Sequence, residues 1–318
     1  MQAYGGTEIQ LDYLRKYVPY KFLDKVQITT SIPEKEPLHP MKPNILWLKN
    51  SYDQPNVNPW FQKKSNHKKY DYYVFNSHWS YEKYRYAFDI PHDRCLIIKN
   101  GIDYDELVIK EELDINPPLK IVYLSTPWRG LDVLLGAMEI LKKEKDIVLD
   151  VFSSTQIYGD AFKESNDNHY LDLYKKAKAL PNVNYKGYCD HKALLQELPK
   201  YHVNCHPSTW EETFCISALE SLAAGLIVIT TDLGALPETC AEFPVYMPYN
   251  KDKKALTQLT ANTILDCKNH IFNLKVGNEI KFQQDYYRKF YDWKQIGTYW
   301  TNFLKGAIYE YETKRQKS

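Results

Sequence analysis

Residues 206–238, HPSTWEETFCISALESLAAGLIVITTDLGALPE, constrain the possible folds of this chain most strongly. After a loop, the spacing predicts a short helix over Thr213–Ala224, and Gly225 suits the left-handed position that ends many helices. The run Leu226–Ile229 has no polar alternation, which is typical of a strand buried on both faces of a parallel sheet. The segment therefore predicts a loop–helix–strand unit of an α/β fold.

Two glutamates stand out in this segment. Glu212 lies at the start of the predicted helix, and Glu220 lies about two turns further on, next to Leu219 on a mostly apolar face. A carboxylate on such a face costs free energy unless something binds it. No Lys or Arg lies three or four residues from Glu220 to pair with it along the helix. The alternative is that Glu212 only complements the helix dipole and that Glu220 reaches solvent.

The start of the predicted helix also suits an anion, because backbone N–H groups around Phe214–Ser217 can bind phosphate. Glu212 and Glu220 form an E-x7-E pattern, and the stretches ETFC, LESLAAG and TDLGALPE accompany it in order. This combination resembles the signature of retaining glycosyltransferases of the GT4 type, which have the GT-B fold. The usual Gly-Phe-Gly after the first glutamate is Thr213-Phe214-Cys215 here, at a place where only backbone amides are needed.

The resemblance implies an α/β fold, GT-B, with two Rossmann-like doubly wound parallel-sheet domains that face each other across a cleft. It implies that Glu212 orients the donor sugar and that Glu220 holds the ribose hydroxyls. It also implies that four residues at the helix start bind the donor: Thr213, Phe214, Cys215 and Ile216. Enzymes of this type work without a bound metal, so we expect no metal and no cofactor.

The length and composition limit the number of domains, the kinds of partner and the compartment. At 318 residues, the chain has room for two domains of about 150 residues each. Its 41 basic and 40 acidic side chains give a net charge of +1, so no global field recruits nucleic acid. The six cysteines show no metal-binding spacing, which favours free thiols in a reducing cytoplasm. Without an 18-residue apolar run, we expect a cytoplasmic protein whose membrane contact is at most peripheral, at the cytosolic face.

The first domain is expected over residues 1–103. Strand-like segments alternate with helical ones, which indicates a parallel sheet. The strands are predicted at Val26–Ser31, Asn44–Lys49, Tyr72–Asn76 and Cys95–Lys99, and helical segments at Ile9–Val18, Pro59–Lys69 and His78–Phe88. Only four residues precede the Gly5-Gly6 loop, too few for the strand that the family has there, so either the chain starts internally or this domain is a reduced version. The resemblance implies that Gly6 faces the donor phosphates.

Residues 104–118 carry charges and a Pro-Pro pair, which is typical of an interdomain linker. The adjoining Asp103-Tyr104-Asp105 superficially matches the D-x-D metal motif of the other large glycosyltransferase fold. Its chain context differs, and chance is the better explanation. The basic run Lys63–Lys69 is interpreted as a solvated face, with contact to an anionic acceptor or lipid surface as the alternative.

The second domain is expected over residues 119–293. Its Thr126–Gly130 loop resembles the Ser-x-Pro-x-Arg-Gly form of the family, in which Arg129 would hold the donor diphosphate with its planar fork. A surface salt bridge is the alternative. The segment Asn182–Tyr188 resembles the element beside the nucleobase, so Tyr188 would stack on the base or serve as a core tyrosine.

The remaining segments follow the same alternation. Strands are predicted at Lys120–Ser125, Ile147–Phe152, Val183–Lys186 and His202–His206, and helices at Leu131–Lys143 and His191–Leu198. After Val245–Met247 the pattern turns helical. Apolar residues at helical spacing predict one amphipathic helix over Tyr286–Tyr311, and residues 294–318 are expected to join the first domain. His78, His202 and His206 lie at predicted strand ends but are assigned no role. Lys49 stands where many relatives have a histidine near the reacting sugar.

These features predict a retaining glycosyltransferase with Glu212 and Arg129 as catalytic residues. The donor would be a UDP- or GDP-sugar and the acceptor a hydroxyl of a glycan, a glycolipid or a protein-linked sugar. Arg129, Gly6 and the helix amides would stabilise the leaving diphosphate as its charge develops. Two alternatives remain: a nucleotide-sugar epimerase on the same fold, which needs no acceptor, and a non-catalytic scaffold that binds a nucleotide sugar or a protein.

Overall fold

The computed structural model describes residues 2, 4–112, 116–273 and 277–317. The strands are β1 Gln27–Thr30, β2 Asn44–Leu48, β3 Tyr72–Phe75, β4 Cys95–Ile97, β5 Leu119–Tyr123, β6 Ile147–Val151, β7 Val183–Tyr185, β8 Val203–His206, β9 Ile227–Thr231 and β10 Val245–Met247. The α-helices are α1 Gly6–Tyr17, α2 Tyr20–Leu23, α3 Asn58–Phe61, α4 His78–Phe88, α5 Leu131–Ile140, α6 Asp160–Asn166, α7 Leu171–Ala179, α8 His191–Glu197, α9 Ile216–Ala224, α10 Leu236–Cys240, α11 Lys253–Asn273, α12 Gly277–Tyr291 and α13 Trp293–Lys317. The predicted strands are confirmed, with ends shifted by one or two residues.

The chain divides into two compact units. Unit 1 comprises residues 1–5 and 104–290, and unit 2 comprises residues 6–103 and 291–318. Part of the predicted linker, residues 113–115, lies outside the described residues. No helix among the described residues is both long and apolar enough to cross a membrane.

Unit 2 contains a parallel sheet in the order β1-β2-β3-β4. Every residue of β2 is buried, as expected for an apolar run with neighbours on both sides. The predicted helix His78–Phe88 is confirmed as α4. Its start is capped by Ser77, whose side chain accepts a hydrogen bond from Ser80 N, and it ends at Asp89 in a left-handed conformation.

Aromatic side chains fill much of the core of unit 2. The ring of Phe61 lies 4.9 Å from that of Tyr84 and 5.4 Å from that of Phe88, measured between centroids. Tyr70 and Tyr73 are fully buried in the same cluster. Part of the high tyrosine content is therefore explained by packing.

The helical segment predicted near Pro59–Lys69 is present but does not form one continuous α-helix. α3 is followed instead by a 3₁₀ turn over Lys64–Lys68. The side chain of Asn66 donates to Trp60 O at 2.9 Å, and His67 Nε2 lies 2.8 Å from Phe61 O. These side chains satisfy carbonyl groups at the end of α3, which favours a turn over helix continuation.

The single helix predicted over Tyr286–Tyr311 is wrong, because the chain breaks at Asp292 between α12 and α13. Ile102 N donates to Tyr291 O at 2.8 Å, and Trp293 N donates to Ile102 O at 2.9 Å. The segment around Ile102 thus takes backbone groups that a continuous helix would use. Asp292 then starts α13 by accepting from Lys294 N at 2.9 Å.

Unit 1 contains a parallel sheet in the order β10-β9-β8-β5-β6-β7. From β5 the chain moves outward through β6 and β7, and then returns to the other side of β5 to form β8. The strand order reverses between β5 and β8, and loops at the carboxyl ends of such neighbouring strands form the usual ligand crevice of doubly wound sheets. This position brings together two loops that are far apart in sequence.

Candidate active site

The loops after β5 and β8 are held in close contact by Gly130. This residue has φ of +102°, and a Cβ at its position would lie 2.1 Å from Pro207 O. Only glycine combines that backbone conformation with such a close approach. The contact fixes Arg129, the residue before it, against the loop that carries Glu212.

Arg129 and Glu212 form a buried ion pair, with Arg129 Nη1 donating to Glu212 Oε2. The side chain of Glu212 is 3% exposed and that of Arg129 is 25% exposed. Burial alone would raise the pKa of Glu212, but Arg129 and then His206 lower it below its usual value. Glu212 is therefore an ionised carboxylate whose charge is balanced inside the protein. The structure brings these two sequence-predicted catalytic residues together.

The backbone of Glu212 is fixed from a third segment, the loop after β9. Glu212 forms an isolated parallel bridge with Gly234, and Ala235 N donates to Glu212 O at 2.7 Å. Gly234 has φ of +68°, and a Cβ there would lie 2.5 Å from Glu212 N. The segment TDLGALPE thus holds the first glutamate in place through its glycine.

His206, the last residue of β8, contacts the free oxygen of this carboxylate. Its Nε2 lies 3.3 Å from Glu212 Oε1, and the side chain is 1% exposed. Burial alone would lower the pKa of His206, but Cys215 and Glu212 raise it to about 9. Sequence reasoning noted this histidine at a strand end without giving it a role. Its position at the carboxyl end of a central strand was the available signal.

α9 begins at Ile216, so the predicted helix start at Thr213 is wrong. Cys215 is the reason, because it takes a left-handed conformation with φ of +72° and ψ of 81°. No side chain caps the helix at Cys215. The helix N-terminus therefore keeps backbone N–H groups that an anion can bind. Thr213 and Phe214 precede it, the first half-buried and the second buried.

Glu220 is buried and paired, but its partner comes from another element. His191 Nε2, on the first residue of α8, lies 2.7 Å from Glu220 Oε1, and both side chains are mostly buried. Burial alone would lower the pKa of His191, but Glu220 raises it above its usual value. The alternative that Glu220 reaches solvent is wrong. Sequence reasoning missed His191 because it considered only partners along the same helix.

Two other residues predicted to bind the sugar donor, Tyr188 and Gly6, lie on other segments of the chain than Arg129 and Glu212. Tyr188 is half-buried in the loop between β7 and α8, three residues before His191. Burial raises the pKa of its phenol. Gly6 is the first residue of α1, in unit 2. The roles of both residues stay predictions.

Lys49 follows β2 in unit 2. Its Nζ donates to Asn100 Oδ1 and lies 3.5 Å from the ring centroid of Trp47. Burial lowers the pKa of Lys49 well below its usual value. The half-buried ammonium is thus held by an amide and an aromatic face.

One group of side chains in unit 1 could hold a metal ion. His206, Glu212 and Cys215 each offer one ligand atom, and these atoms lie within 4.8 Å of one another. All three residues are buried.

Comparisons with known proteins connect this geometry to a family. Residues 110–266 match the family model of glycosyl transferases group 1. Over 151 residues the chain is 24% identical to the MMP alpha-(1->4)-mannosyltransferase of Mycolicibacterium hassiacum. That match spans 48% of this chain and 34% of that protein.

Solved structures show a similar fold. Sucrose-phosphate synthase from Thermosynechococcus elongatus matches with a TM-score of 0.64 and 16% identity, over 85% of this chain and 69% of that one. HepE from Anabaena, solved in complex with UDP, matches with a TM-score of 0.61 and 14% identity, over 83% of this chain and 72% of that one. At these identities the likeness concerns the fold.

Proposed function

Because residues 110–266 belong to the glycosyl transferases group 1 family and the two parallel-sheet units fit its GT-B fold, we propose that the protein transfers a sugar from a nucleotide diphosphate to a hydroxyl acceptor. The observation that carries the proposal is the buried Arg129–Glu212 pair beside the uncapped N-terminus of α9. A cation, an anion and backbone N–H donors thus lie at one edge of the unit 1 sheet. A nucleotide sugar presents the complementary groups, a diphosphate and a hydroxylated ring.

The diphosphate is bound by Arg129 and by the start of α9. A guanidinium has five N–H donors, and Nη1 alone contacts Glu212 in the ion pair. Since the Arg129 side chain is 25% exposed, its remaining donors can reach a ligand. As the bond to the sugar breaks, negative charge grows on the departing phosphate, and these fixed donors stabilise it.

Glu212 orients the donor sugar. Arg129 binds Oε2. Oε1 lies 3.3 Å from His206 Nε2 without a well-formed hydrogen bond, and we assign it to the sugar hydroxyls. The low pKa of Glu212 keeps this oxygen an acceptor at neutral pH. A charged acceptor held by three segments of the fold positions the anomeric carbon without attacking it.

Glu220 binds the ribose. His191 contacts Oε1 of this carboxylate, so Oε2 is the oxygen that accepts from a ribose hydroxyl. Tyr188 lies three residues before His191 in sequence, and we assign it to the nucleobase. Because HepE was solved in complex with UDP, uridine donors are the first to test.

The reaction retains the configuration of the sugar. The bond between the anomeric carbon and the phosphate oxygen breaks, and the acceptor oxygen forms its bond on the same face. The departing phosphate takes the acceptor proton, so the step needs neither a protein nucleophile nor a metal. NMR of the product anomer tests retention, and an inverted product would refute it.

Donor binding is tested by thermal unfolding with UDP, GDP, ADP and their common sugars. A ligand at a hundred times its dissociation constant should stabilise the protein by about 2.7 kcal/mol. We expect one base class to raise the unfolding temperature of wild type and to raise that of Glu220→Gln much less. Glu164→Gln, an exposed glutamate in the same unit, is the matched control and should behave as wild type.

Transfer itself is measured with the donor found in that screen and simple sugar acceptors, by release of the nucleoside diphosphate. Glu212→Gln and Arg129→Met should each slow release by at least about 100-fold, as expected for loss of a group that stabilises developing charge. A folded wild type that binds none of the donors would sink the proposal. Conversion of the donor to an epimer without acceptor would favour an epimerase instead.

A further inference from the structure

Three possible metal-ligand atoms converge at Glu212, the residue that pairs with Arg129. One ring nitrogen of His206, one carboxylate oxygen of Glu212 and Cys215 Sγ lie within 4.8 Å of one another, and His206 Nε2 lies 3.3 Å from Glu212 Oε1. The three residues are 1%, 3% and 8% exposed. Because they come from β8, the following loop and the N-cap of α9, their convergence is a product of the fold.

Two of these atoms are poorly satisfied. Arg129 takes Oε2 of Glu212, but the structure shows no well-formed hydrogen bond to Oε1 or to His206 Nε2 among the described residues. The two atoms lie 3.3 Å apart with unfavourable geometry. A buried polar atom without a well-formed hydrogen bond destabilises the folded protein. A metal ion that accepts an electron pair from each of these two neighbouring atoms would therefore lower the free energy.

The chemistry of the three protein ligand atoms determines which metal ion they suit. An imidazole nitrogen, a carboxylate oxygen and a thiolate are the ligand types of Zn²⁺, at distances of about 2.0–2.3 Å. Mg²⁺ and Ca²⁺ take oxygen ligands instead, so the sulfur disfavours them. Three protein ligands also leave a fourth tetrahedral position for water or a substrate oxygen.

We propose that His206, Glu212 and Cys215 form a binding site for Zn²⁺. The thiol of Cys215 and the imidazolium of His206 each release a proton to solvent as the zinc–sulfur and zinc–nitrogen bonds form. Thiolate and carboxylate together then neutralise the two charges of the ion, and Arg129 stays paired through the other carboxylate oxygen.

The ion inhibits sugar transfer, a consequence that rests on the proposed function. Zn²⁺ occupies Oε1 of Glu212, the oxygen assigned to the donor sugar. Zinc and donor therefore compete for one atom, and the ion acts as a regulator of the site instead of a cofactor.

The test uses the full-length protein, stripped of metal with a chelator and titrated with Zn²⁺ against a chromogenic competitor. We expect one equivalent to bind to wild type. Co²⁺ in place of Zn²⁺ should give a thiolate-to-metal charge-transfer band in the near ultraviolet. Mg²⁺ should not displace either ion.

Cys215→Gly is the decisive variant, because glycine suits the left-handed backbone there and keeps the amide. Its zinc affinity should fall by more than the roughly 10–100-fold that loss of an outer-shell partner costs, and the Co²⁺ band should disappear. Cys267→Ala is the matched control, since Cys267 is 7% exposed and lies on α11 away from the cluster. It should bind as wild type does.

The proposal is overturned if wild type binds no zinc, if Cys215→Gly binds it unchanged, or if the Co²⁺ complex lacks the thiolate band. His206→Ala gives an independent check and should also lose affinity. Zinc binding without any transferase activity would refute the proposed function while leaving the metal site intact. Transfer that zinc inhibits in wild type but not in Cys215→Gly would support both.

Discussion

Replacing Glu212 by Gln tests whether the ion pair is what keeps this carboxylate buried. The change preserves size and removes the charge that faces Arg129 and His206. Removing one partner of a buried pair typically destabilises by about 3–5 kcal/mol, because the other charge is left uncompensated. Since the Arg129 side chain is 25% exposed, water relieves part of that cost. We therefore expect a loss near the lower end, about 3 kcal/mol.

Hydrogen exchange of peptides from β8 and α9 measures this loss locally, which matters because two units need not unfold in one step. Asp172→Asn is the control, since it breaks the Lys175–Asp172 pair of the same unit, whose side chains are 75% and 96% exposed. Surface pairs contribute little, so its exchange should match wild type. A loss under about 1 kcal/mol for Glu212→Gln would refute the reasoning from buried charge.

Three further predictions concern other contacts. His191→Gln should destabilise unit 1 below pH 6.5, because Glu220 raises the pKa of His191. The difference in stability from wild type should shrink as pH rises through that raised pKa, and thermal unfolding at several pH values measures it. A constant difference across pH would contradict this. Gly130→Ala should lower the free energy of unfolding by more than about 3 kcal/mol, because the added Cβ is strained at φ of +102° and clashes with Pro207 O. Wild-type stability of this variant in urea unfolding would refute the argument. Gly306→Ala, in α13 with open space around the added Cβ, should stabilise by about 0.5–1 kcal/mol in the same assay, and any loss would count against the helix there.

The strands and the two glutamates could be located from sequence because apolar runs and local spacing define them. The partner of Glu220 could not, since His191 precedes it by 29 residues and meets it only through the topology of the unit 1 sheet. Local rules for a helix cover only partners three or four residues away, and His191 lies outside that range.

The start of α9 was predicted three residues early for a different physical reason. A left-handed conformation is unfavourable for any residue with a Cβ, so Cys215 itself gives no local signal that it adopts one. The glycine that the resembled family has at this position was the available signal. That conformation turns its side chain toward His206 and Glu212. The segments α6 and α7, which lie between β6 and β7, were also not predicted. α6 is short and mostly polar and buries no residue, so no apolar spacing marks it. α7 buries Tyr174 and Ala177 at helical spacing, a signal that was available in the sequence.

The division of unit 2 into two stretches of chain has a consequence for synthesis on the ribosome. Trp47 of β2 packs against Trp300 of α13 with ring centroids 4.8 Å apart, and both side chains are fully buried. Translation completes the six-stranded unit before the 25 residues of α13 emerge. Until then the nascent four-stranded sheet carries an uncovered aromatic face, a surface that chaperones bind and that aggregates in their absence. Folding of unit 2 therefore waits for α13 to leave the exit tunnel.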